Sequence, residues 1–488
     1  MLALAVQTAM GQQRYACTDF GGKTRGRTYV LPDPPVFERN KVYRQPVVLI
    51  SFEDRGFSME EPAKFYDRVF NEKGFNEGVG LGCVADYFRD QSDGLVNLQF
   101  DIYGPYQVDF KAGGHGRHYY GYDERKAAVK QLNASVDADF KIYDWDGDGL
   151  VNQVLYVAAG YCGNSVDGYI WPNTGVFSAE FPGGIYSEMG SISCEMWGDG
   201  VLCGIGTIVH EFCHCLGLPD IYPLGPTSAL SAVDEWDLMD GGNYTNHGWC
   251  PPNMTAMEKL FLGWKKPTEL TAATSIKNLK SVSQGGETYL VRNSGYDDEY
   301  YLLEHRRQEG WDYGCPGNGL LIYHVDYSRQ SWSNNEVNVR DDHYRFDLFH
   351  ADNKDYHWWD PDNKADNSRY TMKGWLRDRY LSTSAYPYTD PETQVINEIL
   401  NDDSTPASTV FHKNAEGNLF MSKAVSNIQM NDDGTISFDF MKEATNLSPA
   451  LLQGEGEGAW FDLQGRRLQG KPTQRGLYIR NGKKEIIR

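Results

Sequence analysis

The sequence predicts an α/β domain followed by a β-rich region and a small β tail. Three observations carry that prediction. Helical and strand periodicities alternate up to about Trp264; after Lys265-Lys266-Pro267 short β-type runs separated by Gly-rich turns replace them; and a linker, Gly454-Glu455-Gly456-Glu457-Gly458, precedes two last hairpin-forming runs. At 488 residues the chain exceeds what one ordinary core holds, so two or three domains are expected.

Residues 1–11 are apolar and finish in small residues, like the end of a secretory signal whose positively charged leader is missing. Residues 12–45 are polar and irregular, broken by Pro32, Pro34 and Pro35. Residues 46–265 form the α/β domain. Its strands are expected at Val47–Phe52, Leu95–Tyr103 and Val151–Ala159, and its helices at Phe65–Phe70 and Val84–Gln91. Residues 266–442 form the β-rich region, packed on the first domain or continuing it. Strands are expected there at Glu287–Asn293, Glu299–His305, Gly319–Asp326 and Ile436–Phe440, with an Asp-, Asn- and Trp-rich loop over 350–370. Residues 443–488 are the linker and the tail, whose runs Trp460–Arg467 and Gly476–Lys484 resemble the C-terminal sorting or attachment segments of some Gram-negative surface and secreted proteins; a plain exposed β-hairpin accounts for the same residues.

Composition narrows the partners. The net charge of −21, from 46 basic and 67 acidic residues, repels phosphate backbones and excludes nucleic acid as an expected partner. No later apolar run reaches the ~18 residues of a membrane span, so the mature chain is expected to be soluble or tethered by other means; the signal-like start points to a secreted or cell-surface location, with the tail as the candidate attachment segment. Nine cysteines are an odd number, and no CxxC pair suggests a ribbon or redox motif.

The chemistry is concentrated in His210-Glu211-Phe212-Cys213-His214-Cys215-Leu216-Gly217-Leu218-Pro219-Asp220. His210 and His214 are four apart, so on a helix both imidazoles rise from one face, as a tetrahedral zinc requires. Ile205, Ile208, Val209, Phe212 and Leu216 supply an apolar stripe at helical spacing. Glu211 falls beside the metal rather than onto it, which suits a general base acting on the attacking water. Gly217 ends the helix, Pro219 prevents its continuation, and Asp220 returns as the third ligand. Glu258 on a downstream helix is the alternative third ligand.

The extended motif HExxHxxGxxD resembles that of the immune inhibitor A-type secreted metallopeptidases, within the zincin superfamily. Residues 46 to about 330 share the look of that family: Trp236–Gly242 resembles its methionine-containing turn beneath the metal, Asn253–Trp264 the helix that follows, and Tyr300–Glu304 and Gly319–Asp326 later strands. The resemblance implies a zincin-type catalytic domain with its cleft between an upper sheet and the lower Met-turn region, a zinc endopeptidase activity, and protein or peptide substrates. The family's usual long propeptide has no counterpart in this sequence. Tyr244 or His247 is placed to hydrogen-bond an oxyanion, and Tyr244 is taken as the catalytic candidate. The competing classes are a surface binding protein on the same scaffold and a different zinc hydrolase.

A second cation is expected at Asp144, Asp146, Asp148 and Asn152. Oxygens stand at the first, third and fifth places of an EF-hand-like run with Gly149 at the sixth, which suits a structural Ca²⁺, although Leu155 stands where the bidentate Glu belongs.

Overall fold

The computed structural model describes residues 18–19, 30–76, 80–224, 233–340, 342–353, 381–442, 460–462, 467–468, 470–480 and 483–487. The first-eleven segment, the 454–458 linker and most of the 350–370 loop lie outside the described residues.

The first half of the chain is built on a seven-stranded mixed sheet. Its members are β1 (Thr18–Asp19), β2 (Val42–Phe52), β3 (Asn97–Val108), β4 (Leu150–Tyr161), β5 (Asn173–Val176), β6 (Glu180–Phe181) and β7 (Ile185–Met196). The spatial order is β1-β5-β7-β4-β2-β3, with β6 also on β7. Strands β3, β2, β4 and β7 run parallel, whereas β5 and β6 return antiparallel on β7. Parallel strands need covering on both faces, and the alternation of side chains shows how it is done. Val47, Leu49, Leu155 and Val157 enter one core, while Val48, Ile50, Phe52, Val154, Tyr156 and Ala158 enter the core on the other face.

Helices α1 (Pro62–Asn71), α2 (Val84–Gln91) and α4 (Gly206–Cys215) share the first core, and α3 (Tyr122–Ser135) covers the second. The short α5 (Ala256–Phe261) and α6 (Arg329–Ser333) belong to the first side as well.

Beyond Trp264 the chain is β-rich. A five-stranded sheet has the order β13 (Phe346–Leu348), β12 (Gly319–Asp326), β11 (Glu299–Arg306), β10 (Tyr289–Arg292), β8 (Thr268–Glu269). A three-stranded sheet joins β9 (Thr274–Leu279), β17 (Ile436–Phe440) and β16 (Val425–Met430), and β14 (Tyr388–Thr389) pairs β15 (Ile396–Asn397). Again alternation decides the faces. Leu290, Tyr300, Leu302, Leu321, Tyr323 and Val325 join the core that holds α4, whereas Val291, Tyr301, Leu303 and Ile322 pack against Phe438 and Phe440 of the smaller sheet. One apolar core therefore crosses the Lys265-Lys266-Pro267 boundary. The terminal sheet β18 (Trp460–Phe461), β19 (Gly476–Arg480), β20 (Lys483–Ile487) docks through Phe461 and Ile479 on Ala407, Phe411 and Leu419.

The expected elements are found, with two kinds of difference. β2 begins at Val42, inside the segment read as irregular, because Tyr43 and Gln45 alternate inward there. Strands β5 and β7 and helix α3 carry weak signals. β7 mixes serines and glutamates with apolar residues in Ile185–Met196 without a clean alternation, and α3 buries Glu124 and Arg125 along with Ala128, Val129 and Leu132.

Candidate metal centre

The site begins with a helix that is buried on every side. All ten residues of α4 are buried, so its polar face does not look into open solvent. Its start is pressed against the following segment: a Cβ on Gly206 would meet the Asn243 carbonyl oxygen at 2.0 Å. Its end is set by Gly217, whose φ of +96° favours glycine and where a Cβ would meet the Pro32 carbonyl oxygen at 2.4 Å. Two hydrogen bonds close that end, Leu218 N–H to the Cys213 carbonyl and Gly217 N–H to the His214 carbonyl, both 3.0 Å. This is the double closure of a Schellman cap.

The cap also orients a ligand. His214 Nδ1 lies 2.7 Å from the Leu218 carbonyl oxygen, and His210 Nδ1 lies 2.9 Å from the Leu238 carbonyl oxygen. A carbonyl only accepts, so both Nδ1 atoms carry the proton and, in the neutral rings, Nε2 is the nitrogen whose lone pair can bind a cation. The two Nε2 atoms converge on one carboxylate oxygen: Asp220 Oδ1 is 3.4 Å from His210 and 3.3 Å from His214. The three side chains are buried and offer ligand atoms within 4.8 Å of one another.

Asp220 is held from a distance that no local reading reveals. Its other oxygen, Oδ2, accepts from Asn335 Nδ2 at 2.7 Å, and its backbone N–H donates to Asn335 Oδ1 at 2.6 Å. Asn338 continues the clamp, donating to the Ile221 carbonyl at 2.8 Å. Burial alone would raise the Asp220 carboxyl; when His214 and His210 also carry an Nε2 proton, their charge and hydrogen bonds outweigh burial and hold the group far below the usual carboxylate range. From the other side, Ile221 N–H bonds to the Met239 carbonyl at 2.9 Å, so the buried Met239 turn supports the ligand loop directly.

Glu211 is not a member of that converging group. The Thr174 hydroxyl on β5 sits 2.8 Å from Glu211 Oε2 and 2.7 Å from the Glu211 carbonyl oxygen, which orients the carboxylate. Glu258 lies elsewhere. Its Oε2 accepts from the Thr255 backbone and hydroxyl in the capping box of α5, and burial raises its pKa. It is absent from the metal-ligating group found among the described residues. Tyr244 is exposed, with its hydroxyl accepting from Asn164 at 3.2 Å and its ring against Trp197. His247 lies in left-handed backbone, and its carbonyl accepts from Gly204 N–H and Trp197 Nε1.

Asp144, Asp146 and Asp148 also come within 4.8 Å of one another, half-exposed to exposed. Their oxygens accept from the loop's own backbone: Gly147 and Gly149 donate to Asp144, Asp148 to Asp146, and Leu150 to Asp148. Asn152 Oδ1 accepts from Trp145 N–H at 2.7 Å. Glu188 on β7, which the sequence did not single out, stands near them; burial first and then Asp148, Asp146 and Asp144 raise its carboxyl.

Sequence comparison agrees with the site's geometry. Residues 198–266 match the family described as Immune inhibitor A peptidase M6, catalytic domain. Over 290 residues the chain is 21% identical to the pre-pro-metalloprotease PrtV of Vibrio cholerae serotype O1 (strain M66-2), covering 51% of this chain and 31% of that protein. Over 264 residues it is 24% identical to Immune inhibitor A of Bacillus thuringiensis subsp. alesti, covering 46% of this chain and 37% of the relative. The resemblance read from the motif is thus to the immune inhibitor A peptidases, and the matched stretch spans about a third of these relatives' length. No helix among the described residues is long and apolar enough to cross a membrane.

Proposed function

We propose that this chain is a zinc-dependent endopeptidase of zincin type, exported from the cell, that hydrolyses peptide bonds in proteins or peptides. The observation that carries the reading is the convergence of two Nδ1-pinned imidazoles on Asp220 Oδ1, at 3.3 and 3.4 Å, with all three side chains buried. That donor set fits zinc: two neutral imidazoles and one carboxylate give three protein ligands and leave a position for water or substrate. His210, His214 and Asp220 would hold the ion. A bound zinc supplies Lewis acidity, polarising a carbonyl and lowering the pKa of water to about 7.

The remaining steps fall to the chain. Glu211, oriented by Thr174, takes up a proton at its carboxylate and returns it to the leaving amine. Burial of the helix excludes bulk water around the ligands and strengthens each electrostatic contact there. Tyr244, the candidate read from the sequence, would donate from its hydroxyl to charge developing on the scissile carbonyl oxygen.

The experiment is metal analysis of the purified chain together with digestion of an unstructured protein, with and without a chelator. Bound zinc and chelator-sensitive cleavage at internal bonds are expected. Zinc without cleavage would favour the binding-protein reading, and cleavage of esters or amides but not of internal peptide bonds would favour another zinc hydrolase.

A further inference from the structure

Eight cysteines lie among the described residues, all as free thiols. Most have a role within reach of their sulfur. Cys83 caps α2 by accepting from Asp86 N–H at 3.3 Å. Cys250 donates to the Trp311 carbonyl at 3.4 Å and Cys315 to Asp312 at 3.5 Å. Cys213 and Cys215 are fixed on α4. A different arrangement occurs at the end of the main sheet. Cys162 Sγ and Cys203 Sγ face each other at 3.4 Å, 41 residues apart in the chain. Cys194 lies beside them on β7; its side chain also contacts Cys162, while its sulfur donates to the Ile170 carbonyl at 3.3 Å. The three do not form a metal-ligating group, since the only such groups among the described residues are those around His210 and Asp144.

We propose that Cys162 and Cys203 are an oxidisable pair whose disulfide ties the end of β4 to the lead-in of the helix that bears His210 and His214. Cys162 follows directly on β4 and is fully buried, with its N–H on the Met196 carbonyl. Cys203 is half-buried in the return from β7, its N–H on the Glu195 carbonyl, and the next residue, Gly204, donates to His247. Closing the pair brings the sulfurs from 3.4 Å to about 2.0 Å. The loop so closed contains β5 and β7, and with β5 the Thr174 that orients Glu211. Constraining it removes freedom chiefly from the unfolded chain.

The chemistry is thiol–disulfide exchange with a small disulfide oxidant such as oxidised glutathione. The half-exposed Cys203, as thiolate, attacks one oxidant sulfur, forming a mixed disulfide and releasing one thiolate. Cys162, on losing its proton, attacks Cys203 Sγ; the internal bond forms and the second oxidant thiolate leaves. Two electrons pass from the cysteine pair to the oxidant, and the two thiol protons end on its two sulfurs. Burial raises both thiols, so the exchange quickens as pH rises. Disulfides persist outside the cell, so closure in vivo rests on the export reading, whereas the test below does not.

The full chain is reduced, desalted, incubated with oxidised glutathione at mildly alkaline pH, alkylated, and mapped by non-reducing peptide mass spectrometry. The expected result is a cross-linked peptide pair joining Cys162 to Cys203, two hydrogens lighter than the sum of its parts. It should accompany a melting temperature a few degrees above that of the reduced chain, reversed by dithiothreitol and absent from both C162S and C203S, while C194S still forms the link. Both thiols recovered alkylated, or a bridge joining either of them to Cys194 or any other cysteine, would overturn the proposal. The mapping needs no variant, so a misfolded substitution does not blunt it.

Discussion

Two groups of side chains among the described residues bring three ligand atoms within 4.8 Å, and they differ in almost everything else. At His210, His214 and Asp220 every ligand is buried, each imidazole proton is committed to a carbonyl, and Asn335 fills the unused carboxylate oxygen. At Asp144, Asp146 and Asp148 the carboxylates are open to solvent and already accept from the loop's own N–H groups. Spacing produces both clusters. What separates them is the outer layer, which orients the first group from outside through carbonyls and Asn335 and gives the second a way to close on itself.

The largest effect expected from that contrast is at Asp220. Asp220→Ala leaves two imidazoles and should fall from about one zinc per chain to near none after dialysis, because a catalytic site needs three protein ligands. Glu258→Ala should keep its zinc and lose only some stability at the capping box of α5. A zinc-free Glu258 variant beside a zinc-replete Asp220 variant would reverse the assignment.

Next comes the outer layer itself. Asn335→Ala removes both hydrogen bonds to Asp220 and should weaken zinc binding about 10–100-fold, measured by competition with a chromophoric chelator. Unchanged affinity would mean the ligand loop is held by the Met239 turn alone.

A smaller effect is expected at Thr174. Thr174→Val keeps the shape and removes the hydroxyl beside Glu211, and a hydrogen bond to a charged group worth about 1.5 kcal/mol corresponds to roughly a tenfold loss in kcat. The zinc content and KM should hold; a loss confined to KM would make Thr174 a substrate contact instead.

The smallest effect belongs to the acidic loop. If Ca²⁺ binds there in the folded state alone, thermal melting should rise by a few degrees with calcium over EGTA, and Asp146→Ala should abolish the difference. Identical melting of the wild type in both would leave the loop as a self-closed turn.

Much of this site was legible in the sequence because it is local. The i, i+4 spacing, the helix-ending Gly217 and the return at Asp220 lie within eleven residues, and one Schellman cap turns that order into geometry. Strands with clean alternation, such as Val47–Phe52 and Gly319–Asp326, were legible for the same reason. The parts that escaped are long-range. Asn335 is 115 residues from Asp220, and Thr174 is 37 from Glu211 on a four-residue strand that no periodicity announces. A single Asn or Thr is an ordinary turn or strand residue until the fold places it. α3 escaped because it buries Glu124 and Arg125, which blurs the apolar stripe a helix is recognised by.

The central claim is that Glu211 acts on the proton and not on the metal, and Glu211→Gln tests it most directly when zinc content and peptide-bond cleavage are measured on the same preparation. About one zinc per chain and a fall in turnover on the order of 10²–10⁴-fold are expected. Near wild-type cleavage by the zinc-loaded variant would contradict it.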